Sequence, residues 1–357
     1  MRLLHALALA VCASAMDAQA APPAPREIRE AIGRGVAFLE HEQLPYGEFP
    51  VDCQWLKRWY PADGTPFGTG TILYSLRVVE DRRVSAMEEK AIAFLLQEME
   101  SPGLWRYWSM RNPSYDKRVV PDFDDTSVIG LALLARAVPF PRDLDFLLHF
   151  RTPEKLFVTW MVSMKNLPLL EEMEKSEPMK TLSKYYPDNK PDCVVNAQVL
   201  AYFSHQGQTL PEVCDYLMEI IRQGTDPTAH SIYHHLSPYP FAYAVSKAYR
   251  EGAVCLKPAV DPLTALLVTR QQEDGSWGNT LETALATNAL LNVGYQGRAI
   301  DSAIAYLLTR QGSHGGWSRE IYYSSVKQPI AYGSQALTTG FVLEALGKYL
   351  AKRATGQ

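Results

Sequence analysis

Ala303-Ile304-Ala305-Tyr306-Leu307-Leu308-x2-Gln311, running straight into Gly312-Ser313-His314-Gly315-Gly316-Trp317, is the stretch from which the rest of the chain is read. Its apolar residues recur at helical spacing, and the glycines and tryptophan that follow end that helix in a turn. The pattern returns at Ala31-Ile32-x5-Phe38-Leu39-x3-Gln43, at Ala91-Ile92-Ala93-Phe94-Leu95-Leu96-Gln97 and at Leu263-Thr264-Ala265-Leu266-Leu267-x3-Gln271. Weaker versions lie at Leu144-Asp145-Phe146-Leu147-Leu148 and Val213-Cys214-Asp215-Tyr216-Leu217. Six copies at unequal spacings of roughly 40 to 70 residues mark an array with insertions in its loops.

Each copy is followed, after a Gly/Pro/aromatic connection, by a second and more apolar helical segment. These open at Pro66-Phe67-Gly68-Thr69, Pro121-Asp122-Phe123-Asp124-Asp125-Thr126, Pro191-Asp192-Cys193, Pro240-Phe241, Thr280-Leu281-Glu282-Thr283 and Tyr332-Gly333-Ser334. Amphipathic outer helices alternating with nearly all-apolar inner ones predict an all-α, closed (α/α)6 toroid of helical hairpins, one domain over 21–357, with the inner N-termini converging on the mouth of a central cavity. No segment alternates with period two for long, so almost no sheet is expected. Residues 152–189, with Trp160, Met161, Met164, Glu171-Glu172-Met173-Glu174-Lys175 and Tyr185-Tyr186-Pro187, break the pattern. They read as an insertion in the third hairpin, packed as a helix outside the ring or serving as a lid or membrane-facing surface.

The chain has 357 residues, 47% of them hydrophobic and 21% charged, and 35 Lys plus Arg against 39 Asp plus Glu leave a net charge of −4. There is no basic stripe of the kind phosphate neutralisation needs, so nucleic acid is not an expected partner. Met1-Arg2, an apolar run from Leu3 to Met16 and Ala18-Gln19-Ala20 read as a signal peptide over 1–20, which predicts a periplasmic or secreted bacterial protein. No later stretch has membrane-spanning length; contact with a membrane surface remains open, as does the oligomeric state. Cys53, Cys193, Cys214 and Cys255 form no metal-binding spacing, so one or two disulfides or buried thiols are expected, with neither metal nor cofactor.

The sharpest chemical cluster is Asp122-Phe123-Asp124-Asp125-Thr126, just before the inner helix expected over Ser127–Arg136. Asp125 or Thr126 suits a helix cap, but one cap explains one acid. Three acids in four residues at an apolar mouth repel one another and are partly desolvated, which keeps at least one protonated. A protonated carboxylic acid facing aromatic rings is what protonation of a carbon–carbon double bond needs, because ring faces steady the carbocation. Aromatic residues in the connections supply candidates for that lining: Trp105, Trp108, Phe123, Tyr239, Phe241 and Tyr332, together with Trp55, Trp59, Tyr60, Tyr107, Tyr115, Tyr322 and Tyr323. Asn196, Glu282 and Thr283 open inner helices as Asp124 does, and face the same cavity unless they are simply caps. His230, His234 and His235 have i, i+4 spacing that suits zinc or surface positions, and Ser324-Ser325-Val326-Lys327 matches an acyl-enzyme motif without its companions.

With these residues in view, the sequence resembles the squalene/hopene cyclase and class II terpene cyclase family. Gln272-Glu273-Asp274-Gly275-Ser276-Trp277-Gly278 and Gln311-Gly312-Ser313-His314-Gly315-Gly316-Trp317 are similar to its QW repeats, and Asp122 to Asp125 to its Asp-x-Asp-Asp motif. The resemblance implies an isomerase that cyclises an apolar isoprenoid, with Asp124 as the general acid and Asp122 and Asp125 tuning it. Two rival readings are a periplasmic lipid- or polyprenyl-binding toroid without catalysis, and a glycan-processing toroid enzyme using paired carboxylates.

Overall fold

A computed structural model describes residues 22–115, 119–161, 190–325 and 329–355. The expected signal peptide, and most of the expected insertion (162–189), lie outside the described residues. The helices are α1 (Pro25–Glu42), α2 (Pro66–Leu76), α3 (Val84–Gln97), α4 (Phe123–Leu134), α5 (Leu144–Leu148), α6 (Cys193–Ser204), α7 (Pro211–Gln223), α8 (Tyr239–Arg250), α9 (Val260–Arg270), α10 (Thr280–Asn292), α11 (Arg298–Thr309) and α12 (Gln335–Thr355). The even-numbered helices form the inner ring. Each packs on the next, α2 on α4, α4 on α6, and so on to α12, which returns to α2 and closes the circle.

Burial explains the two kinds of sequence. Every residue of α2, and every residue of α10 except Glu282 in its first turn, is buried, so these helices have no polar face. The outer α1 buries Ile28, Ala31, Ile32, Gly35, Val36, Phe38 and Leu39, one stripe at helical spacing, and leaves the rest to solvent. Outer α5 is cut to Leu144–Leu148, which accounts for its weak signal.

Repeated hydrogen bonds tie the outer layer to the ring. Trp277 donates its ring N–H to Leu267 O at 2.7 Å and its backbone N–H to Thr283 Oγ1 at 3.1 Å. Trp317 does the same with Leu307 O and Thr339 Oγ1, and Trp105 with Leu95 O and Thr126 Oγ1. Phe49 donates its N–H to Thr69 Oγ1, and Phe157 to Asn196 Oδ1. An aromatic backbone N–H thus meets a side-chain oxygen in the first turn of an inner helix in five of the six hairpins. Gln43, Gln271 and Gln311 each bridge the carbonyl four residues on, in their own turn, to the following outer helix, at Met87, Ala299 and Ala31. The last of these joins the end of the array to its beginning. Gly315 needs to be glycine: its φ is +94°, and a Cβ there would lie 2.5 Å from Arg34 O.

The structure does hold a small sheet where almost none was expected. Strands β1 (Val51–Trp55), β2 (Arg58–Asp63), β3 (Tyr323–Ser324) and β4 (Ile330–Gly333) pair antiparallel in the order β2-β1-β4-β3. These strands are too short for a period-two pattern to stand out, and β1 finds β4 only because ring closure brings the first and last connections together. Cys214 and Cys255 form a disulfide, while Cys193 is a buried thiol donating to Pro227 O at 3.5 Å. No helix among the described residues is long and apolar enough to cross a membrane.

Candidate active site

Inner helix α4 starts four residues earlier than expected, and this changes the role of each acid. Asp122, with extended backbone, is the N-cap: its Oδ1 accepts the Asp125 N–H at 2.7 Å. Asp124 and Asp125 therefore lie inside the first helical turn, and the capping role expected of Asp125 or Thr126 falls to Asp122. Thr126 instead accepts the Trp105 N–H.

The three carboxyls are not equivalent. Asp122 and Asp125 are buried and hydrogen-bonded to each other through their side chains. Burial pushes Asp122 up to about 6, against the hydrogen bonds from Asp125 and the backbone that favour its charge. Burial pushes Asp125 well above the usual carboxylate range, reinforced by the charge of Asp122 and the bond to it. Asp125 accordingly keeps the proton that it shares with Asp122. Asp124 keeps some accessible surface, yet its Oδ1 is enclosed and has no hydrogen-bond partner among the described residues. Burial, then the charges of Asp122 and Asp192, push Asp124 well above the carboxylate range, and the Lys247 ammonium opposes them. The N-terminal dipole of α4 favours an ionised group by only about 0.3–1 kcal/mol, less than it takes to leave a buried carboxylate without a donor. Asp124 is held as the neutral acid.

Around this acid stand groups from several hairpins. Asp192, the N-cap of α6, accepts from Val194 N, Val195 N, Ser231 Oγ and Ile232 N. Trp160 donates its ring N–H to the Tyr233 hydroxyl at 3.0 Å. His234 is buried with Nδ1 3.0 Å from Tyr322 O, so Nδ1 carries the hydrogen and Nε2 is left an acceptor without a partner among the described residues. An aromatic wall descends from the sheet into the ring. Tyr332 stacks on Tyr323 at 5.0 Å, Trp108 meets Tyr107 edge-on beside them, and Tyr322 connects to Phe341 and Phe341 to Tyr243.

Several of the expected lining residues have other duties. Trp105 is fully buried and pins an outer helix, as Trp277 and Trp317 do. Phe123 turns outward and packs edge-on against Phe157 at 4.9 Å. Asn196 spends its amide on Phe157 N, Phe157 O and Asp192 O. Glu282 closes a capping box with Asn279, and Thr283 is a ring tie. Tyr239 and Phe241 line a groove of about 140 Å³ between α7 and α9, on the outside of the ring. Trp55 and Tyr60 are exposed on the sheet. Of the expected lining, Tyr107, Trp108, Tyr322, Tyr323 and Tyr332 stand in the aromatic wall. His230, His234 and His235 sit in a 3-10 turn and the bend after it, so helical i, i+4 spacing does not apply, and His235 Nδ1 is taken by Ile232 O. Ser324 lies on β3, and Lys327 lies outside the described residues. The described part of the expected insertion, 152–161, contains no helix; it bridges in extended form to Asp122 and Pro191.

Solved structures share this fold. Type II terpene cyclase MstE from Scytonema, solved with geranylgeranyl dihydroxybenzoate as substrate, superposes with a TM-score of 0.67 at 16% identity, over 92% of this chain and 98% of that one. The fold is that of the class II terpene cyclases. A protein from Actinoplanes superposes at 0.68 with 18% identity, over 90% and 99% of the two chains. ent-Copalyl diphosphate synthase from Streptomyces platensis superposes at 0.54 with 21% identity, over 79% of this chain and 50% of its own. No protein-family model matches this sequence, and no curated protein does.

Four further polar residues stand around Asp124 or deeper in the ring without having been singled out by sequence motif: Asp192, Tyr233, Lys247 and Glu344. Lys247 and Glu344 did leave a signal. Lys247 is a lone buried charge in a mostly apolar helical run, and Glu344 shares such a run with Lys348; charges in that setting have to be paired or used.

Proposed function

We propose that this chain is an exported, periplasmic or secreted, bacterial isomerase of the class II terpene cyclase type, in which Asp124 protonates an alkene or epoxide of an apolar isoprenoid. The observation that carries the reading is the state of Asp124. Among the described residues its carboxyl alone of the three makes no side-chain hydrogen bond, burial and the charges of Asp122 and Asp192 push it towards the protonated form, and it is less buried than Asp122 and Asp125 at the start of inner helix α4. A purely structural carboxylate in a lipid-binding protein has no reason to be left without a donor.

In the step proposed, the Asp124 proton adds to one carbon of the double bond, forming a C–H bond and leaving positive charge on the other. A neighbouring double bond then supplies its electron pair to form a ring C–C bond, and the final cation loses a proton, so the product is an isomer of the substrate. Asp122 and Asp125 hold a negative charge beside Asp124 that keeps its proton in place before transfer. The faces of Tyr322, Tyr323 and Tyr332 offer electron density to the cation. That MstE was solved with a prenylated substrate supports an isoprenoid ligand here.

The test is to incubate the mature protein and Asp124→Asn with a bacterial lipid extract in deuterated water. An isomer carrying one deuterium, made by the wild type and absent with the variant, is expected. A lipid retained equally by both proteins, without labelled product, would favour the binding reading.

A further inference from the structure

Among the described residues, the inner ring carries a buried charge that neither the acid chemistry nor an ion pair takes up. Lys247, on the third turn of α8, is 5% exposed, with Nζ 5.2 Å from the centroid of the Tyr74 ring and 5.3 Å from that of Tyr243. Its three N–H donors have no hydrogen-bond acceptor and no ion-pair partner among the described residues. The nearby carboxylates are engaged elsewhere. Glu344 takes Ser75 Oγ at 3.0 Å and the Tyr243 hydroxyl at 2.9 Å on one oxygen, and Lys348 on the other. Glu251 takes the Tyr74 hydroxyl and Arg77 on one oxygen and His205 on the other. Two ring faces soften the burial of an ammonium but accept none of its hydrogens, so the arrangement is incomplete without an acceptor.

The place of Lys247 says where that acceptor comes from. Asp124 is the second residue of α4 and Lys247 the ninth of α8, and both helices run from the mouth inward, so their Cα atoms are offset by about 10 Å along the ring. The aromatic wall from Tyr322 through Phe341 to Tyr243 joins the two levels. One cation, with Glu344 and Glu251 close by and the negative ends of the inner-helix dipoles below, suits a singly charged group and repels a di- or trianion.

We infer that Lys247 is the inner terminus of the ligand site and binds a carboxylate at the far end of a short isoprenoid chain, with the reacting double bond held at Asp124. The inference rests on the ligand occupying the ring, as proposed above. A bound carboxylate also balances the ammonium, which otherwise raises the energy of any carbocation formed near it.

The experiment compares farnesoate with farnesol by titration calorimetry on the wild type, Lys247→Met, Lys247→Arg and Asp124→Asn, each checked for native circular dichroism. Wild type is expected to bind the acid at least about tenfold more tightly than the alcohol, the size of one charge-assisted hydrogen bond. Lys247→Met should lose that preference and Lys247→Arg keep part of it. Asp124→Asn should keep the preference while losing turnover, which separates a failed carboxylate site from a failed general acid. Equal binding of acid and alcohol by the wild type, binding of neither, or an undiminished preference in Lys247→Met overturns the inference. The wild-type comparison stands even if the methionine variant does not fold.

Discussion

Replacing Asp124 by asparagine should inactivate the protein and at the same time make it more stable, a pairing that a general loss of structure cannot imitate. Asp124 Oδ1 is enclosed and has no donor among the described residues. A buried polar group left unsatisfied costs about 1–3 kcal/mol, and more when it is charged. The wild type avoids part of that cost by holding the proton, since burial and the charges of Asp122 and Asp192 raise its pKa. The sign follows from proton counting. Above the ordinary carboxylate pKa of 3.8 the unfolded chain has released this proton while the native state still binds it, so stability falls as pH rises through the window up to the native pKa. Asparagine is neutral at every pH and escapes this loss. Asp124→Asn is therefore expected to exceed the wild type by about 1–3 kcal/mol at pH 8 and to match it at about pH 2.5, where the acid is protonated in both states. Urea denaturation of both proteins across that range measures the difference, and the deuterium-labelling assay measures the activity. A variant that is less stable than the wild type at pH 8 would mean that Asp124 is an ionised, paired group. An active variant would remove it as the proton donor.

Other substitutions test the remaining parts. Asp122→Ala removes the cap of α4 and should cost about 1 kcal/mol, with loss of turnover; Asp122→Asn should keep the cap and still lower turnover, because the charge beside Asp124 is gone. Thr283→Val leaves the Trp277 N–H without an acceptor in a buried turn and should cost about 1–3 kcal/mol by urea denaturation; a change below a few tenths would show the repeated tie to be dispensable. Gly315→Ala forces a side chain into φ +94° and against Arg34 O, and should lower stability by about 1–3 kcal/mol. Reducing Cys214–Cys255, which lie 41 residues apart, should lower stability by about 4 kcal/mol on loop-closure entropy, read as a shift of the urea midpoint with and without reductant.

The amino-acid sequence by itself determined the ring. Helical spacing with one apolar stripe in Ala303–Leu308, against burial all round in Thr283–Leu291, can be met only by alternating outer and inner helices, and the period of the array sets their number. It also marked Asp122, Asp124 and Asp125, because three acids in an apolar setting need a chemical reason. What each acid does was decided by tertiary structure. The start of α4 made Asp122 the cap, and hairpins distant in sequence brought Asp192 and Lys247 within electrostatic reach of Asp124. The aromatic residues were the least legible. A tryptophan such as Trp105 and a tyrosine such as Tyr332 look alike as members of a connection, yet one is locked to Leu95 O in the outer layer and the other stacks in the wall. Side-chain direction at a turn depends on what packs behind it, and here that is another hairpin. The sheet has the same origin, since β1 and β4 are separated by most of the chain and meet only when α12 closes on α2.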